Sequence, residues 1–148
     1  QFGTDEGDVA IFAATDAAGR VYVFVLSATV DEQPTPTYWL AKYDRAGHMY
    51  CKRQIDLLEQ PLGIGMDSTS NLYFAGGNFI NDAWITKYDT TGRKQWKRQL
   101  GTAADDYSGA LALDTKGNVY VTGETAGSLG GSSHGNYDVW VAKYSTQP

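Results

Sequence analysis

Apolar and polar positions alternate with a period of two along short runs of this chain. Trp84, Thr86 and Tyr88 are spaced two residues apart, so they would lie on one face of a β-strand. Ile85 and Lys87 fall between them and would lie on the opposite face. No stretch shows the 3.6-residue apolar period with caps that predicts a helix. The pattern therefore predicts an all-β chain of short strands.

The strand at residues 84–88 is the first half of a predicted β-hairpin. An Asp-Thr-Thr-Gly turn follows it, in which Gly92 can take a positive φ, and a second strand is predicted over residues 94–100. The same hairpin stands upstream as residues 39–55, and its first strand returns as residues 140–144. The chain is thus predicted to repeat one hairpin.

A second repeated element precedes each hairpin. It begins at Asp16, Asp67 or Asp114 and leads into a strand with a central Tyr, so the chain contains three units of about 50 residues. Each unit also opens with a small, Ala- and Gly-rich strand that suits close approach of neighbouring backbones. Four short antiparallel strands per unit are typical of a β-propeller blade. The predicted blades are 4–55, 56–100 and 101–148, in one partial propeller domain covering 1–148.

The third unit carries the residues of a family resemblance. Asp105, Asp106 and Tyr107 precede the small strand, residues 114–123 read DTKGNVYVTG, and residues 135–144 read GNYDVWVAKY. This pattern resembles the bacterial SBBP repeat, named after the seven-bladed β-propeller. The resemblance implies a propeller of mostly extracellular bacterial proteins and supplies no established catalytic residues. A non-catalytic binding or scaffolding module, secreted to the extracellular space or the periplasm, is the expected function.

The other units depart from this pattern. In the first unit, residues 33–36 (QPTP) replace the Gly-rich loop, and in the second Ser70 stands where the turn Gly is expected. Residues 89–96 (DTTGRKQW) resemble the tryptophan-docking motif of quinoprotein-like propellers. This local resemblance leaves a fragment of a quinoprotein-like enzyme, or of an outer-membrane assembly-type propeller, as the alternative.

Charge and composition exclude some partners. The net charge is −5 without a Lys/Arg cluster, which disfavours nucleic acid as a partner. No apolar run approaches the roughly 20 residues that cross a bilayer, and any signal peptide is expected to have been removed. Cys51 is the single cysteine, so no internal disulfide forms. It occupies the position of Trp96 in the next unit and is expected to be a small buried hydrophobe.

Acidic and aromatic residues at one end of the predicted blades form the candidate site. They fall in the loops between units and between the second and third strands. One interpretation is a carboxylate ring around a channel mouth, binding Ca²⁺ or the hydroxyls of a glycan; the other is that these acids cap loops by accepting backbone N–H groups. The candidate ligand-binding residues are Asp8, Glu59, Asp82, Asp106, Tyr107, Tyr137 and Asp138, with candidate calcium ligands Asp105, Asp106 and Asp138.

Catalytic residues are not predicted. His48 and His134 have no second ligand at metal-binding spacing, and the Ser-Ser-His run at residues 132–134 lacks a nucleophile elbow. The turn aspartates are expected to be structural. No cofactor is predicted beyond candidate calcium. The possible ligands are a glycan, a cation or a protein surface.

Three blades do not close a ring, because propellers take about four to eight. Other propeller blades are therefore expected as partners. The chain is expected to be a portion of a larger ring, with a six-bladed ring of two copies as the alternative.

Overall fold

A computed structural model describes residues 3, 5, 7–28, 36–57, 60–78 and 81–145, and for residues 78 and 81 the backbone alone. Within these residues the regular secondary structure is entirely β, as predicted, and no helix is present that could cross a membrane. The chain divides into two compact units, Gln1–Leu58 and Glu59–Pro148.

Eleven strands form three antiparallel sheets. The first sheet contains β1 (Gly7–Thr15), β2 (Val21–Ala28), β3 (Thr37–Tyr43) and β4 (Met49–Ile55). The second contains β5 (Gly63–Met66), β6 (Leu72–Asn78), β7 (Asn81–Tyr88) and β8 (Lys94–Leu100). The third contains β9 (Asp106–Leu113), β10 (Val119–Thr125) and β11 (Asp138–Tyr144). These strands lie inside the three predicted blade ranges.

The first unit consists of the first sheet, in the order β1-β2-β3-β4. Phe24 and Tyr38 are buried and stack with ring centroids 5.7 Å apart. Cys51 pairs with Lys42, as Trp96 pairs with Lys87 in the second sheet, so the predicted equivalence holds. Cys51 is half-buried, because β4 is the edge strand of its sheet, so the expectation of a buried position is met only in part.

The second unit packs the second sheet, in the order β5-β6-β7-β8, against the third, in the order β11-β10-β9. One apolar core joins them. The second sheet contributes Tyr73, Ala75, Ala83 and Ile85, and the third contributes Val119, Val121 and Trp140.

The first strands of these two sheets, β5 and β9, approach each other closely. A Cβ at Gly63 would lie 2.7 Å from the Leu111 nitrogen, and one at Gly65 would lie 2.4 Å from Leu113 Cδ1. Glycine leaves the space that the two leucines occupy. The prediction that the small residues mark a place of close backbone approach is therefore confirmed in this unit.

The five turn aspartates hold their hairpins together, as predicted. Asp89 is representative: its Oδ1 accepts the N–H groups of Thr91 at 2.8 Å and of Arg93 at 3.0 Å, and Gly92 adopts φ +76°. Ser70 takes φ +66° at the position where the other turns have glycine. The same carboxylate pattern recurs in the five turns that begin with an aspartate: Asp16, Asp44, Asp67, Asp89 and Asp114.

Candidate functional site

Asp106 is the most buried of the predicted site residues, with 1% of its surface exposed. Its Oδ2 accepts hydrogen bonds from the backbone N–H and the hydroxyl of Thr102, the latter at 3.0 Å. These bonds cap the loop that leads into β9. Its Oδ1 is also buried and has no hydrogen-bond partner among the described residues. Because Asp106 is closed off from solvent, it does not line an open channel mouth.

Asp138 lies at the same end of the third sheet as Asp106. Both residues pair with Thr125, which stands between them in the central strand β10. Asp138 Oδ2 accepts the backbone N–H of His134 at 2.8 Å, and it therefore caps the loop before β11. The structure brings these two predicted acids together, but each accepts hydrogen bonds from the loop next to it in sequence.

The other predicted acids have local roles or lie elsewhere. Asp8 begins the first sheet and accepts the hydroxyl of Ser27, its pairing partner on β2. The exposed Asp82 lies against Gly101, where a Cβ would come 2.6 Å from its Cγ. Glu59 lies outside the described residues. Neither contact is a hydrogen bond to a backbone N–H, so loop capping stays a prediction for Asp8 and Asp82.

The candidate calcium ligands do not form a metal centre. Asp105 is exposed, whereas Asp106 is buried and bonded to Thr102. Within the described ranges, no group of three or more His, Cys, Asp or Glu side chains could hold a metal ion. Ca²⁺ takes six to eight oxygen ligands, so this arrangement gives the predicted site no geometric support.

Tyr107 and Tyr137 form a pair at this end of the third sheet. Their ring centroids lie 6.1 Å apart with a tilt of 43°, and 47% of Tyr137 is exposed. Burial of its hydroxyl, the neighbouring Tyr137 side chain and the nearby negative charge of Asp105 raise the pKa of Tyr107 to about 12. Tyr107 therefore stays uncharged at neutral pH. The structure places these two aromatic residues side by side.

An open groove of about 440 Å³ runs beside the tyrosine pair. Leu62 and Val139, which are 57% and 84% exposed, line the groove together with Thr122 and Glu124. Sequence reasoning did not include these residues in the site. The sequence of β11 could have pointed to them, because it is apolar at successive positions. Such a strand is normally covered on both faces.

Part of the groove lining, namely Tyr107, Thr122, Glu124 and Val139, belongs to a larger surface, which we call the outer face of the third sheet. It is the face turned away from the second sheet. We call residues that pair with one another across β9, β10 and β11 a row of this face. The rows are Tyr107, Glu124 and Val139; Thr122 and Val141; and Ala112, Tyr120 and Lys143.

The second sheet has the same face, but there it is covered. Tyr73 pairs with Lys87, as Tyr120 pairs with Lys143, and in both rows the Lys Nζ lies over the tyrosine ring, at 5.3 and 5.5 Å from the centroid. In the next row Ile85 is 2% exposed, because this face packs against the third sheet. The equivalent Val141 is 67% exposed.

Comparison with known proteins agrees with this blade geometry. Residues 95–131 match the family model described as SBBP, beta-propeller repeat. The chain carries an SBBP β-propeller repeat. The match confirms the resemblance seen in the third unit, whereas the local resemblance of residues 89–96 to quinoprotein-like propellers stays a prediction.

A bacterial relative extends this similarity beyond the SBBP repeat. The chain is 28% identical over 131 residues to a protein of Caulobacter vibrioides named regulatory protein FlaEY. The aligned region covers 72% of this chain and 14% of the relative. The chain thus spans about one seventh of the relative's length.

Proposed function

We propose that this chain is a non-catalytic binding and scaffolding module of a secreted bacterial protein, and that the outer face of the third sheet binds a protein surface. The exposure of Val139 and Val141, at 84% and 67%, carries the proposal. Their counterparts in the second sheet, Ala83 and Ile85, are each 2% exposed. Exposed apolar patches of this kind mark interaction sites.

The chemistry of the outer face fits a protein partner. Val139 and Val141 form its apolar centre. Glu124 pairs with Val139 in one row, and Lys143 lies in the row beyond Val141. An apolar centre with a charged rim is the usual composition of a protein interface. The rigid ladder of β9, β10 and β11 would hold these side chains in place before a partner binds, which lowers the entropic cost of association.

The secreted location rests on the family resemblance, which points to extracellular bacterial proteins, with the periplasm as the other compartment. The name of the matched relative, a regulatory protein, is compatible with a role that needs binding and no chemistry. A quinoprotein-like enzyme or an outer-membrane assembly-type propeller stays the alternative. A bound quinone or turnover of a dye-linked substrate would favour the enzyme.

A glycan is a second candidate ligand, favoured by the tyrosine pair. Tyr137 offers a half-exposed ring beside Tyr107, and Asp105 and Glu124 supply carboxylate acceptors near the Tyr107 hydroxyl. Aromatic rings with a few polar groups are typical of small-ligand sites. Saturable heat on titration with a glycan, lost in Tyr137→Ala and retained in Val141→Glu, would favour this candidate over a protein.

Site-specific photocrosslinking in the producing bacterium tests the protein-binding proposal. A photoreactive phenylalanine derivative replaces Val139, and the same residue at the exposed turn position Lys116 serves as the control. We expect a protein adduct from position 139, identified by mass spectrometry, and none from position 116. Absence of a protein adduct at position 139 would overturn the proposal.

A further inference from the structure

We infer that the third sheet binds one ordered water molecule between Asp106 Oδ1, Ser108 Oγ and Trp140 Nε1. The site lies on the inner face of this sheet, by which we mean the face turned towards the second sheet. It is on the opposite side of the sheet from the outer face, so it does not depend on the proposed protein-binding role.

These three atoms are buried and have no hydrogen-bond partner among the described residues. Asp106 and Ser108 are each 1% exposed, and Trp140 is 6% exposed. Nearly all buried polar groups in native proteins bond either to the protein or to an ordered water molecule. Three such atoms at one end of one sheet therefore indicate a binding site rather than three separate exceptions.

Strand pairing brings the three side chains to the same face. Ser108 on β9 pairs with Gly123 on β10, which pairs with Trp140 on β11. Asp106 stands two residues before Ser108 on β9, so both side chains point to the same face. Trp140 belongs to the apolar core that the third sheet shares with the second, and this face is therefore the inner one.

The absence of a side chain at Gly123 lets the indole of Trp140 approach β9. A Cβ at Gly123 would lie 2.5 Å from Trp140 Cε2, the carbon that is bonded to Nε1. The same point would lie 1.8 Å from the carbonyl oxygen of Tyr107, the residue directly before Ser108. Because both atoms are close to one point, the indole lies across β10 and its Nε1 is near the start of Ser108.

The three atoms match the hydrogen-bonding capacity of water. The Trp140 N–H can only donate, the carboxylate oxygen of Asp106 accepts, and the Ser108 hydroxyl can do either. A water molecule would accept from Trp140 and donate to Asp106 and Ser108, which gives it the roughly three hydrogen bonds of a typical buried water. A cation fits less well, since it would face an N–H donor and gain two side-chain oxygen ligands.

The bound water would connect β9 with β11 across the central strand. Asp106 Oδ2 already accepts the backbone N–H and the hydroxyl of Thr102 in the loop before β9. Through Oδ1 and the water, the same carboxylate would also be joined to Trp140. The site would thus fix the position of the Trp140 indole relative to this loop.

A crystal structure of this chain that resolves ordered waters tests the site directly. We expect an oxygen atom within about 3.2 Å of Asp106 Oδ1, Ser108 Oγ and Trp140 Nε1. Crystals grown with rubidium ions, which scatter anomalously, distinguish water from a cation, and we expect no anomalous peak at this position. Missing density, a rubidium peak, or a direct hydrogen bond between two of the three side chains would overturn the inference.

Ser108→Ala tests the site in solution through the sign of its effect on stability. If Ser108 Oγ bonds to the water, the variant loses a hydrogen bond, and we expect its midpoint of unfolding in denaturant to fall below that of the wild type. If the hydroxyl had no partner, its removal would raise the midpoint, because a buried unpaired polar group is destabilising.

Ser132→Ala is the matched control, since it makes the same change at an exposed position in the loop before β11 and should leave the midpoint unchanged. A midpoint for Ser108→Ala that equals or exceeds that of the wild type would contradict the bound water.

Discussion

At the scale of single residues, the aspartate that begins each of the five turns stabilises that turn by accepting several hydrogen bonds. Asp67 Oδ1 accepts the N–H groups of Thr69 and Asn71, both at 2.9 Å. Its Oδ2 accepts the Asn71 amide at 2.9 Å and the Tyr73 hydroxyl at 3.0 Å. Although partial burial opposes ionisation, these bonds favour the ionised form and hold the pKa of Asp67 below its usual 3.8.

This turn chemistry predicts a specific loss of stability in acid. A carboxyl group whose pKa is lowered by folding contributes stability above its unfolded pKa, and that contribution is lost as the pH falls through the folded value. We therefore expect the free energy of unfolding to fall below about pH 4, measured by denaturant titration. Asp67→Ala should cost about 1–2 kcal/mol at pH 7, since it leaves the turn N–H groups and the Tyr73 hydroxyl without their acceptor.

Asp67→Asn is the control for charge. Its amide retains one acceptor oxygen, so it should cost less than Asp67→Ala at pH 7 and should show a shallower fall in acid than the wild type. If the free energy of unfolding of Asp67→Asn falls in acid as steeply as that of the wild type, the pKa of Asp67 does not change on folding.

At the scale of an element, the third sheet depends on a close approach between Trp140 and Gly123. The two residues are paired, and the indole lies where a side chain at position 123 would stand. A Cβ on Gly123 would lie 2.4 Å from Trp140 Cζ2 and 1.8 Å from the Tyr107 carbonyl oxygen. Trp84 lies over Gly76 in the same way, at 2.4 Å.

Gly123→Ala should therefore destabilise the protein by at least about 2 kcal/mol, because neither the indole nor the β9 backbone has room to move within the sheet. Gly109→Ala is the matched control, since the nearest atom to its Cβ would be the Thr122 oxygen at 3.9 Å. It should change stability by less than about 0.5 kcal/mol. Equal unfolding midpoints for the two variants would contradict this account of the Trp140 contact.

At the scale of the whole molecule, the arrangement of the acids predicts how the chain responds to calcium. Asp106 is buried, and within the described residues no group of three or more His, Cys, Asp or Glu side chains could hold a metal ion. We expect millimolar Ca²⁺ or EDTA to change the melting temperature by less than about 1 °C, since a ligand stabilises only the state that binds it. A rise of several degrees in the melting temperature with Ca²⁺, reversed by EDTA, would support the predicted calcium site.

Local interactions explain what the sequence determined by itself. The strands follow from a two-residue period, and the turns follow from an Asp whose carboxylate reaches the N–H groups two and four residues later. The repeat then predicted which strands pair. It also predicted correctly that small first strands allow close approach, as Gly63 and Gly65 do beside β9.

Only the tertiary structure decided which residues are accessible, because burial depends on which sheet lies against which. Sequence alone placed Asp106 at an open mouth, whereas packing closes it off with Thr102. Conversely, Val141 and Ile85 occupy the same position of the repeat and look alike in sequence. The second sheet packs against the third and buries Ile85, whereas no described part of the second unit covers Val141 to the same extent, and that difference defines the proposed binding surface.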